Sequence, residues 1–334
     1  MKKIAVLGLG SWGFTLASHL ASKEKYEISC WSTDPLLVKS LKRGEPHPKY
    51  PKTPIRLGMY FSSDLERVIC DADMIVESVT SQGIRPVFEN MRALGIPDCA
   101  LVLTSKGIEQ DTGKILPEVA LEVLGEHFRP YLGVLSGPSF AQEVIRGLPT
   151  SVVAAAYHNE TILSIIEIFT TPNFRVYPNQ DILGVALGGS LKNIIAIACG
   201  ISDGLELGSS SKAALITRGL HEIRKLAIVC GCRTETINGL ACLGDLCLTC
   251  SSPLSRNFRF GMLLAAGLDT EAALKEIGMV VEGMYTCVSA LQLAKLHNIS
   301  LPIAEGVHQI IQGNITPTDA VRLLMQRSIK EEHL

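Results

Sequence analysis

Two short runs of residues in this chain could do chemistry together. Gly8-Leu9-Gly10-Ser11-Trp12-Gly13 has the glycine spacing of a dinucleotide fingerprint. Gly188-Gly189-Ser190-Leu191-Lys192-Asn193 puts one lysine at the start of a helix that is otherwise apolar from Ile194 to Cys199. Oxidising a secondary alcohol removes a hydride from carbon and a proton from oxygen. A dinucleotide takes the hydride. A lysine tuned toward neutral pH by burial and positive neighbours takes the proton. The competing reading of Lys192 is a side chain snorkelling out of an apolar helix. Gly188, Gly189 and Ser190 are small enough to let a nicotinamide ring approach.

Other polar residues stand where such a reaction would use them. Asp245 follows Gly244 within an apolar stretch (Leu243, Leu246, Leu248), where an unpaired carboxylate is costly, and Lys192 would resolve that. Lys106, in Thr104-Ser105-Lys106-Gly107, follows a predicted strand, the position at which open α/β sheets bind ligands. It would polarise a carbonyl or hold an anion; the alternative is a solvated loop lysine. Ser136-Gly137-Pro138-Ser139-Phe140 also follows a strand and offers amides and a hydroxyl near the same edge. Arg256, between Ser255 and Asn257, presents a bidentate fork with neutral donors, suited to phosphate. Ser255 would also serve as a helix N-cap. Beyond the second predicted strand, Asp34 either accepts from a ribose 2′-hydroxyl or caps the helix that begins at Pro35. No arginine lies beside Asp34 to hold a 2′-phosphate, which leans the choice of NAD or NADP toward NAD.

These residues need a scaffold, and the pattern of the chain supplies one. Apolar runs at Lys3–Leu7, Glu27–Trp31, Met74–Ser78, Ala100–Thr104, Tyr131–Leu135, Ser151–Ala155 and Arg175–Tyr177 predict strands of a parallel sheet covered on both faces. Helical runs at Trp12–Lys23, Pro35–Lys42, Gly83–Leu94, Gly113–Leu124 and Thr161–Phe169 alternate with them, the βαβ rhythm of a doubly wound fold. Gly44–Pro54 carries four prolines and reads as an exposed loop. From about Asp181 the strand signal ends. Helices are expected at Leu183–Cys199, Lys212–Cys230, Glu235–Leu243, Arg256–Ala266, Glu271–Ile277, Glu282–Leu296, Ile303–Gln312 and Thr318–Gln326. The expected fold is therefore an α/β, Rossmann-like doubly wound domain over residues 1–180 and an all-α domain over 181–334.

Composition excludes several classes. The 334 residues are 47% hydrophobic and 19% charged, which argues for packed cores. A net charge of −2 and 5% aromatic content give no reason to expect nucleic acid. No stretch of about 18 apolar residues appears, so no membrane span is expected. Without a signal peptide, the ten cysteines read as reduced core residues of a cytoplasmic protein. Cys230, Cys232, Cys242, Cys247 and Cys250 do not make two clean zinc knuckles, and no metal is expected. Ser209–Lys212 matches a serine-lysine motif without its partner motifs. Asp111-Thr112-Gly113 resembles an aspartic-protease triplet but occurs once. His221 is expected on a helix surface.

Taken together, the motifs resemble the bacterial type of NAD(P)-dependent glycerol-3-phosphate dehydrogenase nearly end to end. The resemblance is carried by GLGSWG (8–13), TSKGIE (104–109), SGPSFAQEV (136–144), GLPT (147–150), GGSLKNIIAIACGISDG (188–204), ALITRGL (214–220), GLACLGDLCLTC (239–250), SRNFRFG (255–261) and VVEGMYT (280–286). It implies interconversion of dihydroxyacetone phosphate, a phosphorylated triose, and sn-glycerol 3-phosphate, feeding phospholipid synthesis, by a homodimer. Lys192 would transfer the proton. Lys106, Gly137, Ser139, Asp245, Ser255, Arg256 and Asn257 would contact substrate, with Asn193 and Thr249 lining the site. Ser11, Trp12, Lys106, Ala141, Arg256, Val280 and Glu282 would contact the cofactor. Thr33 stands where many relatives carry histidine or arginine, and Gly208-Ser209-Ser210 replaces a frequent Gly-x-Asn.

Overall fold

Alternating apolar strands and amphipathic helices build an eight-stranded sheet in the first half of the chain. The structure is a computed structural model that describes residues 1–329 and 331. The strands are β1 (Lys2–Leu7), β2 (Tyr26–Trp31), β3 (Met59–Ser62), β4 (Met74–Glu77), β5 (Ala100–Leu103), β6 (Leu132–Ser136), β7 (Thr150–Ala156) and β8 (Phe174–Asn179). Their order is β3-β2-β1-β4-β5-β6-β7-β8. The connecting helices are α1 (Ser11–Ala21), α2 (Pro35–Lys42), α3 (Leu65–Ile69), α4 (Ile84–Leu94), α5 (Leu116–Leu124), α6 (Ala141–Val144) and α7 (Asn159–Phe169). β1 and β4 run parallel, but the order of strand addition reverses there, from β1-β2-β3 on one side to β4-β5-β6 on the other, and the fingerprint loop leaves β1 at that switch point.

The sheet is not parallel throughout: β6 and β7 pair antiparallel. A parallel return needs a crossover, usually a full helix, and this connection holds only the short α6. Two elements carry no clear sequence signal. β3 is a four-residue strand with Met59 and Phe61 turned inward, and α3 has five residues. The proline-rich segment 44–54 is irregular as expected, but not wholly exposed. His47 and Tyr50 are buried in it.

Helices make up the second half: α8 (Ile182–Gly204), α9 (Gly208–Val229), α10 (Thr234–Ile237), α11 (Asp245–Cys250), α12 (Arg256–Ala265), α13 (Thr270–Ile277), α14 (Glu282–Leu296), α15 (Pro302–Ile311) and α16 (Pro317–Met325). By compactness the chain divides into two units. One is Met1–Ser105 with Leu116–Ile182, and the other is Lys106–Ile115 with Leu183–Leu334. The segment Lys106–Ile115 therefore belongs with the helices.

The central helix of the second unit is α8. Its length and hydropathy would suffice to cross a membrane, yet 94% of its apolar window is buried inside the protein. Lys192 and Asn193 interrupt that window, so the sequence shows no unbroken apolar run. Gly200 and Gly261 let α8 and α12 touch backbone to backbone: a Cβ on Gly200 would meet the Phe258 carbonyl oxygen at 2.0 Å, and one on Gly261 the Ile197 carbonyl oxygen at 2.1 Å.

Several expectations are corrected here. The helix expected at Glu235–Leu243 stops at Ile237. A widened turn over Leu240–Gly244 follows, and α11 begins at Asp245. Residues 113–115 precede α5 rather than opening it, and Asp111 lies at a turn with φ +66°. Gly208 opens α9 at φ +84°, which settles the form of that loop. The ten cysteines form no disulfide, but Cys70 and Cys247 are exposed and Cys230 is half-buried rather than core. His221 is half-buried, with its Nε2 shielded from solvent.

Candidate active site

In the sheet unit, the fingerprint glycines have distinct steric reasons. Gly8 has φ +96°, and a Cβ there would meet the Ser78 carbonyl oxygen at 2.5 Å. A Cβ on Gly13 would lie 1.9 Å from the Gly8 carbonyl oxygen. Those two glycines let α1 pack against β1 and β4. Gly10 has nothing within 4 Å of its Cβ position. It is the N-cap of α1, no side chain caps that end, and no acidic residue lies in the first turn. Open space above uncapped helix amides fits a pyrophosphate. Two residues without a sequence signal brace the loop. His47 Nε2 bonds the Leu9 carbonyl at 3.0 Å, and the Tyr50 hydroxyl donates to the Ser11 carbonyl at 3.2 Å. Thr15 Oγ1 also donates to Ser11 at 2.8 Å.

Asp34 acts as the cap of α2, accepting from Leu36 N at 2.9 Å and Leu37 N at 3.1 Å. Thr33 and Asp34 are both exposed and neither carries positive charge. Ser139 donates to the Gly137 carbonyl of its own loop at 3.0 Å. The Ala141 carbonyl faces Thr15 Oγ1 at 3.4 Å, which docks α6 on α1. Glu77 ends the apolar strand β4 and is fully buried. Its Oε1 accepts from Val79 N at 2.7 Å and Ser105 Oγ at 2.6 Å. Burial pushes its carboxyl up to about 7, and the hydrogen bonds pull the other way. An acidic residue closing an otherwise apolar strand is the only signal that marks it in the sequence.

In the helical unit, two lysines meet on one carboxylate. Lys192 lies mid-way along α8, not at a helix start, and is 6% exposed. Its Nζ is 3.1 Å from Asp245 Oδ1 and donates to Thr249 Oγ1 at 2.6 Å. Lys106 Nζ is 2.5 Å from Asp245 Oδ2. Asp245 and Thr249 are four residues apart on α11 and so share a face. Thr249 Oγ1 in turn donates to the Asp245 carbonyl at 2.6 Å. The widened turn before α11 ends in a Gly244 N–H bond to the Gly239 carbonyl at 3.2 Å, an i→i+5 step of the kind often found at functional sites. Gly188 faces that turn: a Cβ on it would meet Cys242 Cβ at 2.6 Å. Gly188 thus serves helix packing rather than approach of a cofactor ring.

The loop carrying Lys106 is pinned to the helices. Ser190 Oγ donates to the Gly107 carbonyl at 3.0 Å, and Ser289 Oγ to the Ile108 carbonyl at 3.3 Å. Burial brings the Lys192 ammonium down to about 8, Asp245 opposes this, and Lys106 adds to it. The group is therefore poised to gain or lose a proton near neutrality.

Ser255, Arg256 and Asn257 do not form one three-part fork. Ser255 Oγ caps α12 by accepting from Phe258 N at 3.2 Å. Asn257 is buried and ties three helices: its Nδ2 donates to Asn193 Oδ1 and its Oδ1 accepts from Gly283 N, each at 2.9 Å. Arg256 alone is exposed, with Nη1 donating to the Val280 carbonyl at 2.8 Å. Glu282 is the first residue of α14 and is partly exposed. Among the described residues, no cluster of His, Cys, Asp or Glu is arranged to hold a metal ion.

A doubly wound sheet with an uncapped glycine fingerprint, and a helical unit with a buried lysine paired to aspartate, define the class of dinucleotide-dependent oxidoreductases. The comparisons make the class specific. The family model for the NAD-dependent glycerol-3-phosphate dehydrogenase N-terminus matches residues 3–162, and that for the C-terminus matches residues 181–322. Glycerol-3-phosphate dehydrogenase [NAD(P)+] of Protochlamydia amoebophila is 65% identical over 334 residues, covering 100% of both chains. That of Chlamydia pneumoniae is 54% identical, covering 99% of each chain. A crystal structure of glycerol-3-phosphate dehydrogenase from Coxiella burnetii superposes with a TM-score of 0.93 at 39% identity, covering 98% of this chain and 99% of that one. The chain belongs to the NAD(P)-dependent glycerol-3-phosphate dehydrogenase family.

Proposed function

We propose that this protein interconverts dihydroxyacetone phosphate and sn-glycerol 3-phosphate, with Lys192 as the proton-transfer residue. The observation that carries the assignment is the buried Lys192–Asp245 pair with Lys106 on the same carboxylate. A reduced dinucleotide bound at Gly8–Gly13 would supply the hydride. In the reduction, Lys192 donates a proton from Nζ to the oxygen that was the carbonyl. In the oxidation, neutral Lys192 takes the proton from the hydroxyl. Asp245 holds Nζ in place and moderates its proton affinity. Lys106 adds positive charge near the reacting oxygen, which favours the alkoxide-like transition state. Thr249 fixes the second direction of the Lys192 ammonium, and Asn193 with Asn257 sets the helices around it. Gly137 and Ser139 complete the substrate contacts, and Ser255, as the cap of α12, orders the turn that carries Arg256. Ser11, Trp12, Ala141, Val280 and Glu282 complete those to the dinucleotide.

NADH oxidation assayed with dihydroxyacetone phosphate, glyceraldehyde 3-phosphate and ketoacids tests the reading. Turnover confined to the first is expected, and preference for a ketoacid would overturn it. The two directions should show opposite pH limbs. Reduction needs protonated Lys192, so its rate should fall as pH rises through about 8; oxidation should rise through the same value. Parallel profiles would exclude Lys192 as the titrating group.

Arg256 is the exposed guanidinium for the substrate phosphate. A charge-assisted bond contributes about 1.5–3 kcal/mol, so Arg256→Ala should lower kcat/KM roughly tenfold to a hundredfold or more. The loss should be large for dihydroxyacetone phosphate and small for unphosphorylated dihydroxyacetone. Equal losses would assign Arg256 to the cofactor or the fold.

NADH should match or exceed NADPH in kcat/KM, since Thr33 and Asp34 offer no cation for a 2′-phosphate. A strong NADPH preference would place that phosphate on another residue. A cytoplasmic, reducing setting suits ten cysteines that form no disulfide. A homodimer is the state the family resemblance implies, and sedimentation velocity tests it.

A further inference from the structure

A cavity lies within the sheet unit, at the end of α1 away from the fingerprint. It encloses about 550 Å³ between the C-terminal half of α1, the turn after α6 and the turn before β8. Five cationic or titratable basic side chains line it (His19, Lys23, Lys25, Arg56 and Arg146), and no carboxylate does. This imbalance stands out in a chain whose net charge is −2.

Two of the five already have partners. Lys23 Nζ donates to the carbonyls of Glu167, Ile168 and Thr170 at 2.8, 2.9 and 3.0 Å. His19 Nε2 bonds the Phe169 carbonyl at 2.7 Å. The negative end of α7 is thereby satisfied and does not oppose an anion in the cavity. Glu167, the acid nearest Lys23, is paired with Lys2 at 3.3 Å. Lys25, Arg56 and Arg146 have no carboxylate at ion-pair distance among the described residues. A separate observation points the same way. Ser18 lines the cavity, is 3% exposed, and its Oγ has no hydrogen-bond partner. An orphaned buried hydroxyl is costly unless a ligand meets it.

We propose that this cavity binds a phosphate dianion, either free or carried on a small ester. Arg56 and Arg146 would supply planar donors, Lys25 a further charge, and Ser18 a hydroxyl. Ile145 and Leu148 give one wall an apolar surface for an ester's carbon body. The site is distinct from the dinucleotide fingerprint. α1 has 11 residues, so its two ends are about 15 Å apart.

The test is calorimetric titration of the full chain with inorganic phosphate, with the fingerprint filled by saturating NADH. The wild type is compared with Arg56→Gln/Arg146→Gln and with Ser18→Ala. Both arginines are exposed, so the double variant should keep its melting temperature and its kcat. The expected result is one phosphate equivalent in the wild type, beyond any held by Arg256, that weakens at least tenfold in the double variant and measurably in Ser18→Ala. Glycerol 2-phosphate as a second probe separates the sources: tighter binding than phosphate assigns an ester, and equal or weaker binding assigns free phosphate. An unchanged isotherm in the folded double variant overturns the proposal. So does a parallel rise in KM for dihydroxyacetone phosphate, which would put these arginines in the substrate site.

Discussion

Replacing Lys192 with alanine should lower kcat by about 10²–10⁴, the usual worth of a positioned acid–base group, while leaving dinucleotide affinity nearly unchanged. The separation follows from placement. The fingerprint belongs to the sheet unit, and Lys192 lies in the middle of α8 in the helical unit. The fold should tolerate the change, because Asp245 keeps Lys106 at 2.5 Å as a counter-ion. Lys192→Met, which fills the same space without a proton to give, separates chemistry from packing. Both variants should lose the limb near pH 8 in each direction. Near-normal turnover in a folded Lys192→Met protein would remove Lys192 from the mechanism.

Asp245→Asn should have the largest effect on stability. Asp245 is 2% exposed and is the carboxylate between two lysines. Removing one partner of a buried ion pair costs about 3–5 kcal/mol. The loss should depend on pH in a definite sense. In the wild type, burial already holds Lys192 at about 8 against 10.5 for the free side chain, with Asp245 opposing the drop. Without Asp245 the folded value falls further. Between that value and 10.5 the unfolded chain binds more protons than the folded one, so stability rises with pH. The deficit against the wild type is therefore greatest at acidic pH and shrinks as pH rises toward 8. The activity limb should move to lower pH with it. Urea denaturation across pH, paired with pH–rate profiles, measures both; a deficit independent of pH together with an unmoved limb would make Asp245 purely structural.

Much of the scaffold is legible along the chain because its signals are local. The strands β1, β4 and β5 are continuous apolar runs of a covered sheet, and Pro35 after Asp34 marks the start of α2. α14 spans Glu282–Leu296, the bounds its periodicity predicts. The elements without a local signal are short: the edge strand β3 and the five-residue α3. Their formation depends on neighbours. The antiparallel turn of β7 likewise reflects how little helix the β6–β7 connection holds.

The pieces of the site and their chemical kinds are readable along the chain. They are a glycine fingerprint after a strand, a lysine in an apolar helix, an aspartate in an apolar stretch, and an arginine beside a helix cap. Those follow from residue type and spacing, which local rules read. Only the tertiary structure decided which groups meet. It brought Lys106 from a loop and Lys192 from α8 onto the Asp245 carboxylate of α11, and it showed that Ser255 and Asn257 hold helices in place while Arg256 faces solvent. It also set Gly188 against Cys242 and left Ser18 buried without a partner. Pairings between residues distant in sequence are fixed by packing and by the cost of burying an unpaired charge or dipole. Those forces act across the fold and leave no periodic mark along the chain.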